Sequence, residues 1–202
     1  MAKKTKGKSK KNVRKKFHEI KVPLTASKVS LYGADAEDLE GRIVKIDLTR
    51  SLKGKGFELK FRVDNGDKGL VGKPISSQLV QSYIRKAVRR STDYVEDSFE
   101  AECRDCIVRV KPFLVTRNRV SRAVRQALRD TAKKHLIGYL KSRNAEEIFS
   151  EMMANKLQKG MSLKLKKIYP LALCEIRLFK ILRDKEEAEE SPEASEKTEA
   201  AA

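Results

Sequence analysis

Phe57, Leu59, Phe61 and Val63 alternate with Glu58, Lys60, Arg62 and Asp64, a period of two that predicts a half-buried antiparallel strand. Upstream, after Gly41, Arg42, Val44, Ile46 and Leu48 fall on one face of a strand and Ile43, Lys45 and Asp47 on the other. Asp64-Asn65-Gly66-Asp67 supplies a turn, since Asn-Gly tolerates positive φ. Ser76 or Ser77 reads as the cap of a helix running to about residue 90, with Leu79, Tyr83, Ile84 and Val88 inward. A second hairpin is predicted from residues 94–101 and 107–116 around Cys103-Arg104-Asp105-Cys106, with Val108, Val110 and Phe113 packing inward.

The period then changes to that of a helix over about residues 120–142. A further helix is capped by Asn144, carries Glu146 and Glu147 in its first turn and stops at Gly160. Residues 161–168 and 173–182 read as two closing strands. The chain shows no internal repeat of roughly 20–50 residues. Antiparallel strands and about three helices, in separated blocks, predict an α+β fold.

Charge adds a partner to this picture. Lys and Arg number 46 against 28 Asp and Glu, a formal +18 that a compact soluble monomer gains little from carrying. Residues 1–16 hold nine of these cations and no acid, whereas residues 184–202 sum to −6, which leaves +15 for residues 17–183. Both ends are too poor in apolar residues to offset their own ordering entropy. The expected organisation is a basic disordered arm (1–16), one folded body (17–183) and an acidic disordered tail (184–202). Since the body is itself basic, a polyanion such as nucleic acid is the natural partner.

Within the body the sharpest feature is the segment from Arg117 to Lys134. At about 100° per residue from Arg122, Arg125 falls near 300°, Arg129 near 340° and Lys133 near 20°. Val120, Ala123, Val124, Ala127 and Leu128 lie opposite, at roughly 100–240°. One face is core and the other a cationic stripe, opened by Arg117 and Arg119. Like charges at this spacing cost about 0.2–0.5 kcal/mol per pair, which phosphates would relieve. Beyond Lys133, Leu136, Ile137 and Leu140 fall on the cationic side, which predicts a bend near Gly138 or a covering element. The arm contributes Lys3, Lys4, Lys6, Lys8, Lys10, Lys11, Arg14, Lys15 and Lys16 as phosphate contacts. Lys53 and Lys55, with Gly54 and Gly56, form either a phosphate-binding loop or an ordinary loop between strands.

Other motifs fail on their chemistry. Gly72-Lys73 lacks the glycine five positions earlier, which is Asp67, and Pro74 stands where a magnesium-binding hydroxyl belongs. Cys103 and Cys106 have zinc-like spacing, but only Cys174, His18 and His135 could complete four ligands, so they read as decoration of a hairpin turn. Neither a metal nor a cofactor is expected. Three cysteines suit a reducing compartment better than secretion. No run approaches the ~18 apolar residues of a membrane span, and neither histidine sits in a recognisable catalytic arrangement. A metal-dependent nuclease and a free nucleic-acid-binding protein of chromatin or RNA metabolism stay open beside a structural RNA-binding role.

Leu39-Glu40-Gly41-Arg42 before a strand, Arg117-Asn118-Arg119 opening the long helix, and Ile168-Tyr169-Pro170-Leu171 before a basic final strand together carry a resemblance. Over about residues 10–183 the chain resembles the S-three-a (also called S-one-e) family of archaeal and eukaryotic small-subunit ribosomal proteins. The resemblance implies a barrel-like β body with helices, no catalytic activity and a cytoplasmic place in the small ribosomal subunit. It further implies a position on the platform near the ribosomal RNA 3′ end and the messenger exit, with small-subunit ribosomal RNA and neighbouring ribosomal proteins as partners and mRNA nearby. The short acidic ending is closer to an archaeal-type member than to the longer eukaryotic ones.

Overall fold

A computed structural model of the chain describes residues 14–25, 29–66 and 69–185. In chain order the elements are β1 (Lys16–Ile20), β2 (Val29–Gly33), a 3₁₀ turn (Glu37–Leu39), β3 (Ile43–Asp47), β4 (Phe57–Gly66), β5 (Gly69–Leu79) and α1 (Gln81–Ala87). There follow β6 (Tyr94–Glu96), β7 (Phe99–Glu102), β8 (Cys106–Thr116), α2 (Arg122–Leu140), α3 (Ala145–Met153), α4 (Lys156–Leu165) and β9 (Leu171–Asp184). The described residues divide into two compact units, one of those between 14 and 44 with those between 62 and 73, the other of 45–61 with 74–185.

In the first unit β1 and β2 form an antiparallel ribbon in which Phe17 faces Tyr32. Alternation buries Ile20 and Gly33 on one face and exposes Phe17 and Tyr32 on the other. Gly33 is required by close packing: a Cβ there would meet Leu39, itself fully buried, at 2.8 Å. Gly41 turns the chain at φ +75, and its N–H donates to the Val63 carbonyl at 2.8 Å. The turn expected at 64–67 does not begin where the sequence places it. Asp64, Asn65 and Gly66 remain in β4, Asp67 lies outside the described residues, and β5 starts at Gly69 with φ +107.

The fold is α+β as expected, with corrections. The larger sheet runs β3-β4-β5-β9-β8-β6, with β7 also paired to β8. It is open, not a closed barrel, because the path ends on β3 and β6. These strands have five and three residues and carry Lys45 and Glu96, features that suit sheet edges. The helices number four among the described residues. Ser76 and Ser77 cap no helix; they are buried in β5, opposite Lys180 and Phe179 of β9, and α1 begins only at Gln81. Gly160 does not stop a helix, and residues 161–168 are not a strand. The helix expected after Asn144 breaks at Asn155, which adopts φ +57, and α4 then runs through Gly160 to Leu165.

The core of the second unit follows helical rows of four. Leu157, Met161 and Leu165 of α4 are buried, as are Ala145, Ile148, Phe149 and Met152 of α3. Phe149 meets Phe179 of β9 edge to face, with ring centroids 4.9 Å apart. β8 contributes Val108, Val110, Phe113 and Leu114. Pro112 lies where the β8–β9 register shifts, a position that suits a residue without an N–H. Cys103 and Cys106 bracket a two-residue turn, the Cys103 N–H donating to the Cys106 carbonyl at 2.8 Å. Both thiols are buried and free. Cys103 donates to Cys106, which pushes the Cys103 thiol up and the Cys106 thiol down. No group of three or more metal-ligating side chains comes together among the described residues.

Candidate nucleic-acid interface

α2 starts at Ser121, whose hydroxyl accepts the Val124 N–H at 3.4 Å. Its buried residues are Leu128, Ala132, Leu136 and Leu140, an unbroken row at spacing four. Four residues advance about 400°, so such a row drifts by roughly 40° per step around the helix axis. This drift carries the buried row onto the side where Leu136 and Leu140 fall, so those positions are covered, as one of the two expectations had it, and the helix continues through Gly138. It also corrects the predicted faces. Ala123 and Ala127 lie outside the buried row, and Val120 and Val124 are only half-buried. Arg125, expected on the stripe, is not fully open to water: its Nε lies buried without a hydrogen bond.

Arg122, Arg129 and Lys133 are exposed, as the stripe requires. None has an ion-pair partner among the described residues, and several acids of the sheet are engaged elsewhere. Glu96 takes Arg177 at 2.8 Å, Glu100 takes Arg109 at 2.6 Å and Glu58 takes Lys45 at 2.8 Å. The Lys133 ammonium lies over the Phe99 ring of β7, 5.8 Å from its centroid, a cation–π contact made by a side chain that stays exposed.

The loop before α2 is held by a polar clasp. Buried Thr116 accepts the Asp93 N–H at 3.0 Å and donates to the Asn118 carbonyl at 2.7 Å. Asp93 in turn accepts the Val120 N–H at 2.9 Å, and Arg119 donates to the Arg90 carbonyl at 3.1 Å. The clasp thereby brings the basic run Arg85-Lys86-Ala87-Val88-Arg89-Arg90 beside Arg117 and Arg119. Sequence reasoning misses these cations as part of the site, although their density is visible there; nothing local indicates that a distant aspartate and threonine tie them to the stripe. Lys86, Arg89 and Arg117 line a cleft of about 810 Å³ together with Tyr83. The one acid on that lining is Asp47, held below the usual carboxylate range by hydrogen bonds from the Thr49 hydroxyl and N–H.

Lys53 and Lys55 part company. Lys53 is exposed at φ +53 in the turn before Gly54, at φ +86. Lys55 points inward and is only 9% exposed, its ammonium 2.5 Å from Glu175 and donating to Asn155 Oδ1 at 2.7 Å. It is not placed to meet a phosphate. Arg14, Lys15 and Lys16 are exposed at the start of the first unit's ribbon. Lys3, Lys4, Lys6, Lys8, Lys10 and Lys11 lie outside the described residues.

The model of the Ribosomal S3Ae family matches residues 2–185. Small ribosomal subunit protein eS1 of Saccharolobus islandicus is 26% identical over 190 residues, covering 90% of this chain and 91% of the relative. The protein of the same name from Desulfurococcus amylolyticus is 24% identical over 177 residues, 83% of each chain. The one from Saccharolobus solfataricus is 25% identical over 190 residues, again 90% of this chain and 91% of the relative.

Proposed function

The chain belongs to the Ribosomal S3Ae family, and from that premise we propose that it is a non-catalytic structural constituent of the small ribosomal subunit, of archaeal type. It binds small-subunit ribosomal RNA, acts in the cytoplasm in translation, and sits among other small-subunit proteins. The expected place is the platform, near the RNA 3′ end and the messenger exit. Residues 1–16 serve as a phosphate-binding arm, 17–183 as the RNA-binding body and 184–202 as an acidic tail. Within the body the RNA surface is Arg122, Arg129 and Lys133 of α2, continued by Arg117 and Arg119, with Lys53 and the cations of the cleft as further contacts.

The observation that carries this reading is the set of solvent-facing cations on α2 and its leading loop without internal acid partners. An exposed stripe of one sign costs the isolated fold a little and gains only when phosphates arrive. Changing Arg122 and Arg129 together to Gln is therefore expected to leave the melting temperature at or above the parent's. The same change should weaken ribosomal RNA binding about tenfold, as expected when two charge-assisted hydrogen-bonding groups are removed. Its salt slope should flatten by up to about 0.9 for each duplex phosphate that the protein no longer neutralises. Lys at both positions should fall between, since charge remains but the bidentate fork does not. A Gln variant that folds and binds RNA as the parent does would move the RNA face elsewhere.

A further inference from the structure

Phe17 and Tyr32 are 74% and 53% exposed, yet they are cross-strand partners whose ring centroids lie 5.1 Å apart. The ribbon already has an inward face, formed by His18, Ile20, Leu31 and Gly33. The two aromatics are thus placed on the solvent side by strand alternation, not squeezed out of a core. Exposed β-ribbon positions are filled at lower solvation cost by Thr or Lys, so two adjacent exposed rings indicate a surface that something flat covers.

The charge around the rings selects the occupant. The Lys15 ammonium lies 5.9 Å from the Tyr32 centroid. Arg14 and Lys16 flank it, and the six lysines before them come with no acid. Glu19, on the same face, is the one acid of β1 and is itself engaged. Flat π surfaces beside cations match the two parts of an unpaired nucleotide, its base and its phosphate. A duplex hides its bases in its own stack and offers only the phosphates.

We propose that the Phe17–Tyr32 face of the β1–β2 ribbon is a stacking platform for unpaired bases of RNA, with Lys15, which shares that face, on the adjoining phosphates. The inference rests on the reading of the protein as RNA-binding, but it names a different surface from the α2 stripe and a different part of the RNA.

The test uses the full chain with oligouridylate and an RNA hairpin duplex as probes, at salt high enough to suppress the arm's electrostatic contribution. Changing Phe17 and Tyr32 together to Leu keeps apolar bulk and removes the π faces. It is expected to weaken oligouridylate binding at least about tenfold, the order that base–aromatic stacking supplies, and to leave duplex binding unchanged. Phe17→Trp should keep affinity and, because the chain otherwise has no tryptophan, give a fluorescence signal that falls on adding oligouridylate but not duplex. Unchanged oligouridylate affinity in the Leu variant, or unquenched fluorescence in the Phe17→Trp variant, overturns the platform. Should the Leu variant bind both RNAs normally yet fail to enter small subunits, the face docks a protein and the proposal is likewise wrong. Failure of the Arg122 and Arg129 variant to bind ribosomal RNA, with the Leu variant unaffected on both probes, would uphold the ribosomal reading and overturn the platform.

Discussion

The Lys55 ammonium sits between the Glu175 carboxylate at 2.5 Å and the Asn155 side-chain carbonyl at 2.7 Å, and both charged side chains are about nine-tenths buried. Two residues away, Lys53 is in open water. A loop that reads as uniformly cationic thus serves two purposes, because the chain turns one lysine inward as it enters β4. Removing Lys55 strands a buried carboxylate, so Lys55→Met is expected to destabilise the protein by about 3–5 kcal/mol. Adding Glu175→Leu should restore most of that stability, and RNA affinity should change in neither variant. Denaturant unfolding and RNA binding, measured on both, check it; a stable single variant with weakened RNA binding would return Lys55 to the interface.

His135 offers a second residue-level test. Burial, followed by the nearby Lys164 ammonium, holds it below its ordinary value of 6.5, and its Nδ1 is buried without a partner. The folded state therefore favours the neutral ring. As pH falls below about 6.5 the unfolded chain takes up the proton first, so this share of stability is present above 6.5 and declines toward the lower folded value. His135→Leu should flatten the fall in melting temperature on the acid side of 6.5. An equally steep fall in the variant would show that other groups set the acid limit.

At the scale of elements, the strands with water on one side are legible: β3 and β4 have the alternation their burial requires, and Phe57, Leu59, Phe61 and Val63 are all buried. β5 is not, because Ser76 and Ser77 are good capping residues whose burial against β9 depends on a strand about a hundred positions away. α4 is obscured for a different reason. Leu163-Lys164-Leu165-Lys166 alternates like a strand, yet the row that packs is Leu157, Met161 and Leu165, and Leu163 is 69% exposed. The stripe on α2 is legible in Arg122, Arg129 and Lys133 and misplaced in Arg125, which lies in the same row of four as Arg129 and Lys133 but whose Nε the fold buries. The cleft cations are not legible as a site, because the clasp between Asp93 and Thr116 joins segments far apart in sequence. Gly138 and Gly160 lie inside helices, and a Cβ at either would meet nothing within 4 Å. Replacing each with Ala should therefore stabilise the protein by about 0.5–1 kcal/mol. Thermal melts check this; destabilisation by Gly160→Ala would contradict a continuous α4.

Across the whole molecule, the charge is arranged for a partner more than for the isolated chain. The total of +18 is concentrated in the residues before the acidic ending, and Arg122, Arg129 and Lys133 of α2 have no ion-pair partner among the described residues. Such a chain is least repelled when it is embedded in polyanion. Membership of the Ribosomal S3Ae family supplies the identity of that polyanion under the proposed reading. The most direct measurement is sedimentation of an extract of cells expressing the chain, with the protein followed by antibody through the gradient. The account predicts that the protein travels with small subunits, and that the Arg122→Gln, Arg129→Gln variant is depleted from them while remaining folded. A protein that stays at the top of the gradient while small subunits move down would contradict it.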